Sequence, residues 1–293
     1  MNAKELKQFG TGLAFVSPWL VGFLGLTLVP VGMSLYYSFC DFPLLQEPVP
    51  VGLDNYRELA ADPVFWRSLR TTGYYALLAL PAGLLVSLGL ALLLNAGAAG
   101  QAAYRTAIFL PSLVPAVASA MLWTWIFNRK LGLLNVVLGY LGVTGPGWLT
   151  QPQWVIPALA LMSLWGVGYT VVVYLAGLQD VPVELYEAAE IDGALGWRRL
   201  WHVTLPALSP VIFFNLVMAV IGTLQVMTTP FVMTGGGPAR SSYFITMYLY
   251  DTAFAHLKMG YASAMAWVQL LIVITLTALA FWTSKRWVHY AGR

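Results

Sequence analysis

Charge is what this sequence lacks. Asp, Glu, Lys and Arg together make up 9% of its 293 residues, while hydrophobic residues make up 59%; an average soluble domain carries about 25% charged residues. So few charges cannot cover a globule of this size, and most of the surface must face something other than water. The mean hydropathy of +0.73 agrees. The same composition excludes intrinsic disorder, which needs low hydrophobicity and high net charge. Cysteine is nearly absent: Cys40 stands alone, so no disulfide can form within the chain. A net charge of +3, with the basic residues scattered, supplies no clustered basic face for nucleic acid. The class that remains is a polytopic membrane protein.

Chemistry-bearing motifs are missing as well. No G-x-x-x-x-G-K-[ST] occurs, so the chain holds no ATP by a P-loop, and the run Gly235-Gly236-Gly237-Pro238 lacks the lysine that would follow one. Neither H-E-x-x-H nor G-x-S-x-G is present. His202, His256 and His289 lie far apart near span ends, which makes a metal site or an enzyme a poor reading. No cleavable signal is evident: Met1–Gln8 is basic, but the apolar stretch Phe9–Cys40 is too long for a signal core and has no A-x-A site. None of the predicted span cores contains Asp, Glu, Lys, Arg or His. Proton-coupled carriers usually place such groups inside the membrane, so a solute moved by this protein is expected to draw its energy from a partner. A secondary carrier or channel is the alternative outside that class.

What is present is long apolar runs. A helix needs about 20 apolar residues to cross roughly 30 Å of hydrocarbon. Six stretches qualify: Leu13–Tyr37, Thr72–Leu94, Ile108–Phe127, Val155–Leu178, Ala207–Val232 and Ala262–Thr283. Solid runs of this length exclude barrel strands, which alternate, and predict a single all-α membrane domain over residues 1–293. Leu131–Val143 is too short to cross and is followed by Gly145-Pro146-Gly147; it reads as a re-entrant or interfacial segment. Prolines 18, 30, 81, 111, 115, 157, 210 and 230 fall in or beside the spans. Membrane helices tolerate them, because neighbours satisfy the freed carbonyls, and each reads as an ordinary kink.

Six spans put both termini on one side. Lys4, Lys7, Lys285, Arg286 and Arg293 argue for the cytoplasmic side, with Asn2 and Gly292 inside and Asp54 in an external loop over 40–70. The full count is eight basic residues inside against seven outside, which does not decide the orientation. Acidic charge is concentrated in the loop between spans four and five: five acids and no base from Asp180 to Asp192, followed by Arg198 and Arg199. Pro182 suits a first helical turn, and Glu184, Glu187 and Glu190 recur on one face. Gly193 interrupts, and Trp197, Leu200 and Trp201 make a second short apolar patch before Leu205-Pro206. This predicts a helix–turn–helix knob, which by pattern alone could be an interfacial amphipathic hairpin.

That loop resembles a known family. Glu187-Ala188-Ala189, three residues, Gly193, nine residues and Val203-x-Leu205-Pro206 are similar to the EAA loop of ABC importer permeases (E-A-A-x3-G-x9-I-x-L-P), with Val203 in place of isoleucine. Tyr186 and Ile191-Asp192-Gly193-Ala194 resemble the carbohydrate-uptake branch. Gly52-Leu53-x-Asn55-Tyr56, Asp62-Pro63-x-Phe65-Trp66, Leu110-Pro111-Ser112 through Trp123 to Gly132-Leu133-Leu134-Asn135, Thr234–Pro238 and Gly260-Tyr261-Ala262 are similar to the maltose/glycerol-3-phosphate-type first permease subunit. The resemblance implies a type I ABC importer fold with both termini inside and 179–206 as a cytoplasmic coupling loop. It implies a bacterial or archaeal cytoplasmic membrane, a second similar permease, two ATP-binding cassette subunits that hold the ATP and magnesium, and an extracytoplasmic solute-binding protein. The chain itself would need no cofactor. Glu187, Ala188, Ala189, Gly193, Leu205 and Pro206 would couple to the ATPase, with Glu187 bonded to a basic residue there.

Sugars need hydrogen-bonding groups and aromatic faces but no charge. Trp165, Gly166 and Tyr169 on span four and Asn215, Thr223 and Gln225 on span five supply that chemistry. Each polar one can equally be interhelical glue. By resemblance, sugar contacts fall at Tyr169 and around Ala219, Thr223 and Val226. Thr223 and Gln225, two apart on a helix, point about 200° apart, so Thr223 is assigned to the sugar and Gln225 to packing. A neutral saccharide is the expected substrate and glycerol 3-phosphate the alternative, since no intramembrane cation is evident to meet a phosphate.

Overall fold

The structure, a computed structural model, describes residues 3–97 and 100–289. Asn2, Gly292 and Arg293, expected on the cytoplasmic side, lie outside the described residues. Four straight helices are long and apolar enough to cross a membrane: Gln8–Ser38, Pro63–Asn95, Trp197–Leu224 and Met259–Ser284. Two bent pairs meet the same test, Gln101–Leu113 with Ala116–Ile126 and Pro152–Gly166 with Gly168–Gln179. Taken as one span each, the pairs give the six expected from hydropathy. The short segment before span four forms only the helix Leu133–Tyr140 and stops at Gly142, whose φ is +74°.

The second span begins at Pro63 and the third at Gln101, earlier than Thr72 and Ile108, and three further differences change the course of the chain. The third span is not one rod from Ile108 to Phe127 but two arms bent by 100°. Proline clashes with a helical predecessor; Val114, before Pro115, is extended at ψ 129°, and the chain turns there. Proline is therefore more than a kink at this position. The fifth span ends at Leu224, not Val232, and a separate short helix runs over Thr228–Thr234. Pro230 fits the first turn of that new helix but would have lost a hydrogen bond inside a continuous one. The third difference is at the start of the fifth span: the patch from Trp197 onward is not a separate limb of a hairpin. It is the beginning of a continuous helix, Trp197–Leu224, through a π-helical turn over Leu200–Thr204. Pro206 has no N–H for the His202 carbonyl, and a wider turn just before a proline accommodates that loss.

The chain divides into two compact units, residues 1–62 with 249–270, and 63–248 with 271–293. In the first, Asn55 is buried and its Nδ2 donates to the carbonyls of Ser38 (3.0 Å) and Cys40 (2.8 Å). Two-residue strands Cys40–Asp41 and Val49–Pro50 pair antiparallel. The Tyr261 hydroxyl donates to Asp62 at 2.8 Å, and the Leu44 amide donates to the Leu257 carbonyl at 3.0 Å. Asn55 of the Gly-Leu-x-Asn-Tyr stretch thus holds the end of the first span, while Leu44 and Asp62 tie the same loop to the start of the last.

In the second unit, Pro63–Asn95 is the central helix and packs on both arms of the fourth span and on the fifth. One buried cluster gathers Tyr75, Ala79, Ala120, Phe127, Ile156, Leu159, Phe244 and Met247. A second gathers Ala91, Leu94, Val171, Tyr174, Leu175, Leu178 and Leu208. Between membrane helices, close approach of small residues replaces the hydrophobic driving force. Gly177 shows this: a Cβ there would stand 2.7 Å from Val211 Cγ2 and 2.9 Å from Leu208 Cδ1. Thr72 Oγ1 accepts the Ile245 amide at 3.0 Å, which fixes the segment after the glycine-rich loop to the central helix.

Candidate functional site

The acidic loop is built around one glycine. Pro182 caps a helix over Val183–Ile191 from an extended conformation, φ −57° and ψ 132°. At the other end Gly193 has φ +72°, its amide donates to Glu190 O (3.1 Å), and the Ala194 amide donates to Ala189 O (2.8 Å). These two bonds with a left-handed residue between them are a Schellman closure, for which glycine is the natural residue. Gly193 thus ends the first limb at a fixed place. Ala189 is 6% exposed, whereas Glu184, Glu187 and Glu190 face outward, and none of the three is in an ion pair among the described residues. The Arg199 guanidinium stacks 5.6 Å over the Tyr186 ring, and Trp197 meets Trp201 edge-on at 5.6 Å. Trp197 is 69% exposed, and Leu185 and Ile191 are also uncovered. An acidic stripe beside uncovered apolar side chains suits either a protein partner or the membrane interface.

The second constellation lies where two spans break. The 3-10 turn Leu110–Leu113 packs against the 3-10 turn Leu164–Gly166. Gly168 permits the approach: a Cβ on it would stand 2.8 Å from Ile108 O, 2.9 Å from Phe109 Cα and 3.0 Å from Ser112 Oγ. Aromatic rings gather here. Phe109 meets Tyr169 edge-on at 5.1 Å, and Trp123 meets Trp165 edge-on at 6.2 Å. Tyr169 is 58% exposed and Gly166 is exposed, so the break presents an aromatic, uncharged face. Broken helices free backbone groups inside the membrane, which transporters use at substrate sites.

A profile of the family described as the binding-protein-dependent transport system inner membrane component matches residues 79–288. The chain belongs to that family. The permease is 40% identical over 287 residues, 96% of its own length and 93% of the other's, to a probable ABC transporter permease protein, YesP, of Bacillus subtilis. It is 35% identical to the sulfoquinovosyl glycerol transport system permease protein SmoG of Agrobacterium fabrum, over 85% of this chain and 82% of that one. Its fold matches that of a bacterial ABC transporter involved in import of the acidic polysaccharide alginate, with a TM-score of 0.83, 25% identity, and coverage of 97% of this chain and 98% of that one. A multi-pass membrane transport subunit of the type I importer fold follows.

The permease distributes the polar residues singled out in its sequence unevenly. Tyr169, Trp165 and Gly166 come together at the break. Asn215 does not join them: it is 6% exposed beside the buried Tyr174 hydroxyl, within the helix packing. Thr223 lies elsewhere, on an apolar groove with Leu77, Pro81, Leu216 and Leu276, and its hydroxyl donates to Ala219 O at 2.8 Å. Gln225 is exposed and forms the cap of the fifth span with φ −108°. The angular comparison between Thr223 and Gln225 therefore fails, because residue 225 is no longer on the helix. Leu205 and Pro206 are half-buried within the fifth span, and Ala188 is exposed. Trp123 stands in the sequence only as part of the family-like stretch, and Phe109 and Gly168 carry no signal of their own; Pro111 and Pro115 are the signal that the third span is broken.

Proposed function

We propose that the permease, with a second permease subunit, forms the membrane path of an ATP-driven importer for a neutral saccharide. Two ATP-binding cassette subunits dock on residues 179–206, with Glu187 bonded to a basic residue in their cleft. Both termini and that loop are cytoplasmic, the 40–70 segment is external, and an extracytoplasmic binding protein delivers the sugar. The observation that carries this reading is the break at Gly168, which leaves an uncharged aromatic face uncovered at Tyr169 and Gly166. Sugar rings stack on aromatic faces, and a phenol hydroxyl can bond a sugar hydroxyl. The relatives named for a sulfoquinovosyl glycerol and an alginate system support a glycoside substrate; both of those glycosides are acidic, and it is the uncharged face at Tyr169 and Gly166 that favours a neutral one here. The test is uptake of labelled saccharides by proteoliposomes holding the reconstituted complex. Uptake should need ATP and the binding protein; uptake driven by an ion gradient without either would establish a secondary carrier instead.

A further inference from the structure

A cleft of about 180 Å³ opens between the second span, the first arm of the third and the second arm of the fourth, lined among others by Leu94, Phe109, Val172 and Leu175. Its only polar side chains are Arg105 and Gln179. Arg105 Nε is buried with no hydrogen-bond partner, and Arg105 is in no ion pair, among the described residues. A buried N–H without an acceptor is costly; Arg105 as a whole is half-buried, so one edge of its guanidinium sits in an apolar cleft with no anion partner among the described residues.

The level of the cleft names its class. Gln101 opens the third span, Asn95 closes the second and Gln179 closes the fourth, so Arg105 and Gln179 lie where helices leave the hydrocarbon. Lipid phosphates occupy that level. From Gln179 the lining continues along the fourth span to Gly168, about 16 Å at 1.5 Å per residue. Apolar residues cover that length, and Val172 is 47% exposed at its open side. Two polar groups at one end of an apolar trough suit an amphiphile. A sugar would need more hydrogen-bonding partners, and a free anion would gain nothing from the apolar wall. Arginine's planar fork matches a phosphate oxygen pair better than a lysine would.

We propose that this cleft binds an anionic phospholipid, with the phosphodiester on Arg105 and Gln179 and an acyl chain along Val172 and Leu175. The reading rests on the proposed orientation only in assigning the cytoplasmic leaflet.

The test uses the purified complete transporter in nanodiscs of phosphatidylcholine with increasing phosphatidylglycerol, followed by native mass spectrometry of retained lipid. Wild type should retain phosphatidylglycerol over phosphatidylcholine by about tenfold or more, and Arg105→Gln should lose that preference. Arg105→Lys should keep part of it, and Arg198→Gln, an arginine outside the cleft, all of it. Val172→Trp fills the trough with Arg105 in place and should also lose retention, which keeps the test open if Arg105→Gln fails to fold. Unchanged preference in both Arg105→Gln and Val172→Trp would overturn the site. Displacement of the lipid by inorganic phosphate at millimolar concentration would show a soluble-anion site instead. A wrong orientation would appear in cysteine labelling and leave lipid retention as it is.

Discussion

Gly168 and Ile108 touch backbone to backbone: a Cβ on the glycine would stand 2.8 Å from the Ile108 carbonyl oxygen. The breaks of the third and fourth spans are thereby held against each other. Gly166, two residues earlier, has nothing within 4 Å of its would-be Cβ. Gly168→Ala should therefore cost about 1–3 kcal/mol as overpacking against a backbone that cannot yield. Gly166→Ala should melt with wild type. Thermal unfolding of the two purified variants side by side checks this, and equal melting would show that the breaks are free to separate.

In the loop proposed to couple to the ATPase the constraint is conformational, not spatial. Gly193 has open space around it but φ +72°. Gly193→Val should cost about 1–2 kcal/mol locally, unwinding the Schellman closure and lowering ATPase co-purification and uptake. Gly193→Asn should retain both, because asparagine tolerates the left-handed region.

Glu187→Ala should leave the fold intact, since that side chain is exposed and in no ion pair among the described residues. Removing one partner of a charged bond at an interface costs about 2–5 kcal/mol, so subunit association should weaken and uptake fall. Pull-down of the ATPase with the variant measures it; normal association would make the loop an interfacial hairpin only.

Tyr169→Ala should abolish saccharide uptake while basal ATP hydrolysis continues. Thr223→Val should do less, because the Thr223 hydroxyl already donates to Ala219 O at 2.8 Å and can offer a sugar only an acceptor. Loss of one neutral hydrogen bond is worth about 1 kcal/mol, or about a fivefold change. Uptake assays on both variants rank the two sites, and normal transport by Tyr169→Ala would remove the fourth span from the path.

Orientation is checked in a Cys40→Ser background, where a hydroxyl can keep the bond that the Cys40 thiol donates to Tyr36 O at 3.4 Å. Cysteine at Asp54 should react with an impermeant thiol reagent added outside, and cysteine at Asp192 should not. The reverse pattern would invert the topology.

Hydropathy located the spans because a membrane demands long apolar runs, and the coupling helix was legible because Pro182, the glutamate spacing and Gly193 each act locally. The bends were not. A proline's effect depends on whether neighbours can satisfy the freed carbonyls, so Pro81 stays inside a straight helix while Val114-Pro115 turns the chain by 100°. Thr223, Asn215 and Gln225 look alike in sequence, yet one bonds its own helix, one is buried in packing and one caps a helix end. Tertiary context alone separates them. Nothing local marks Arg105, because its neighbours in sequence do not reveal that Leu94 and Leu175 line one cleft with it.

The uninterrupted helix Trp197–Leu224 is about 42 Å long at 1.5 Å per residue. It runs from the acidic loop to the buried Leu224 and can act as a lever between the two. Rods transmit displacement without loss except where they are compliant, and the wide turn over Leu200–Thr204 is where this one can flex. On the proposed docking of the ATPase at residues 179–206, the stroke that reaches Leu224 would be set by the stiffness of those five residues, and substitutions there should tune how much transport each hydrolysis yields before they alter affinity for anything.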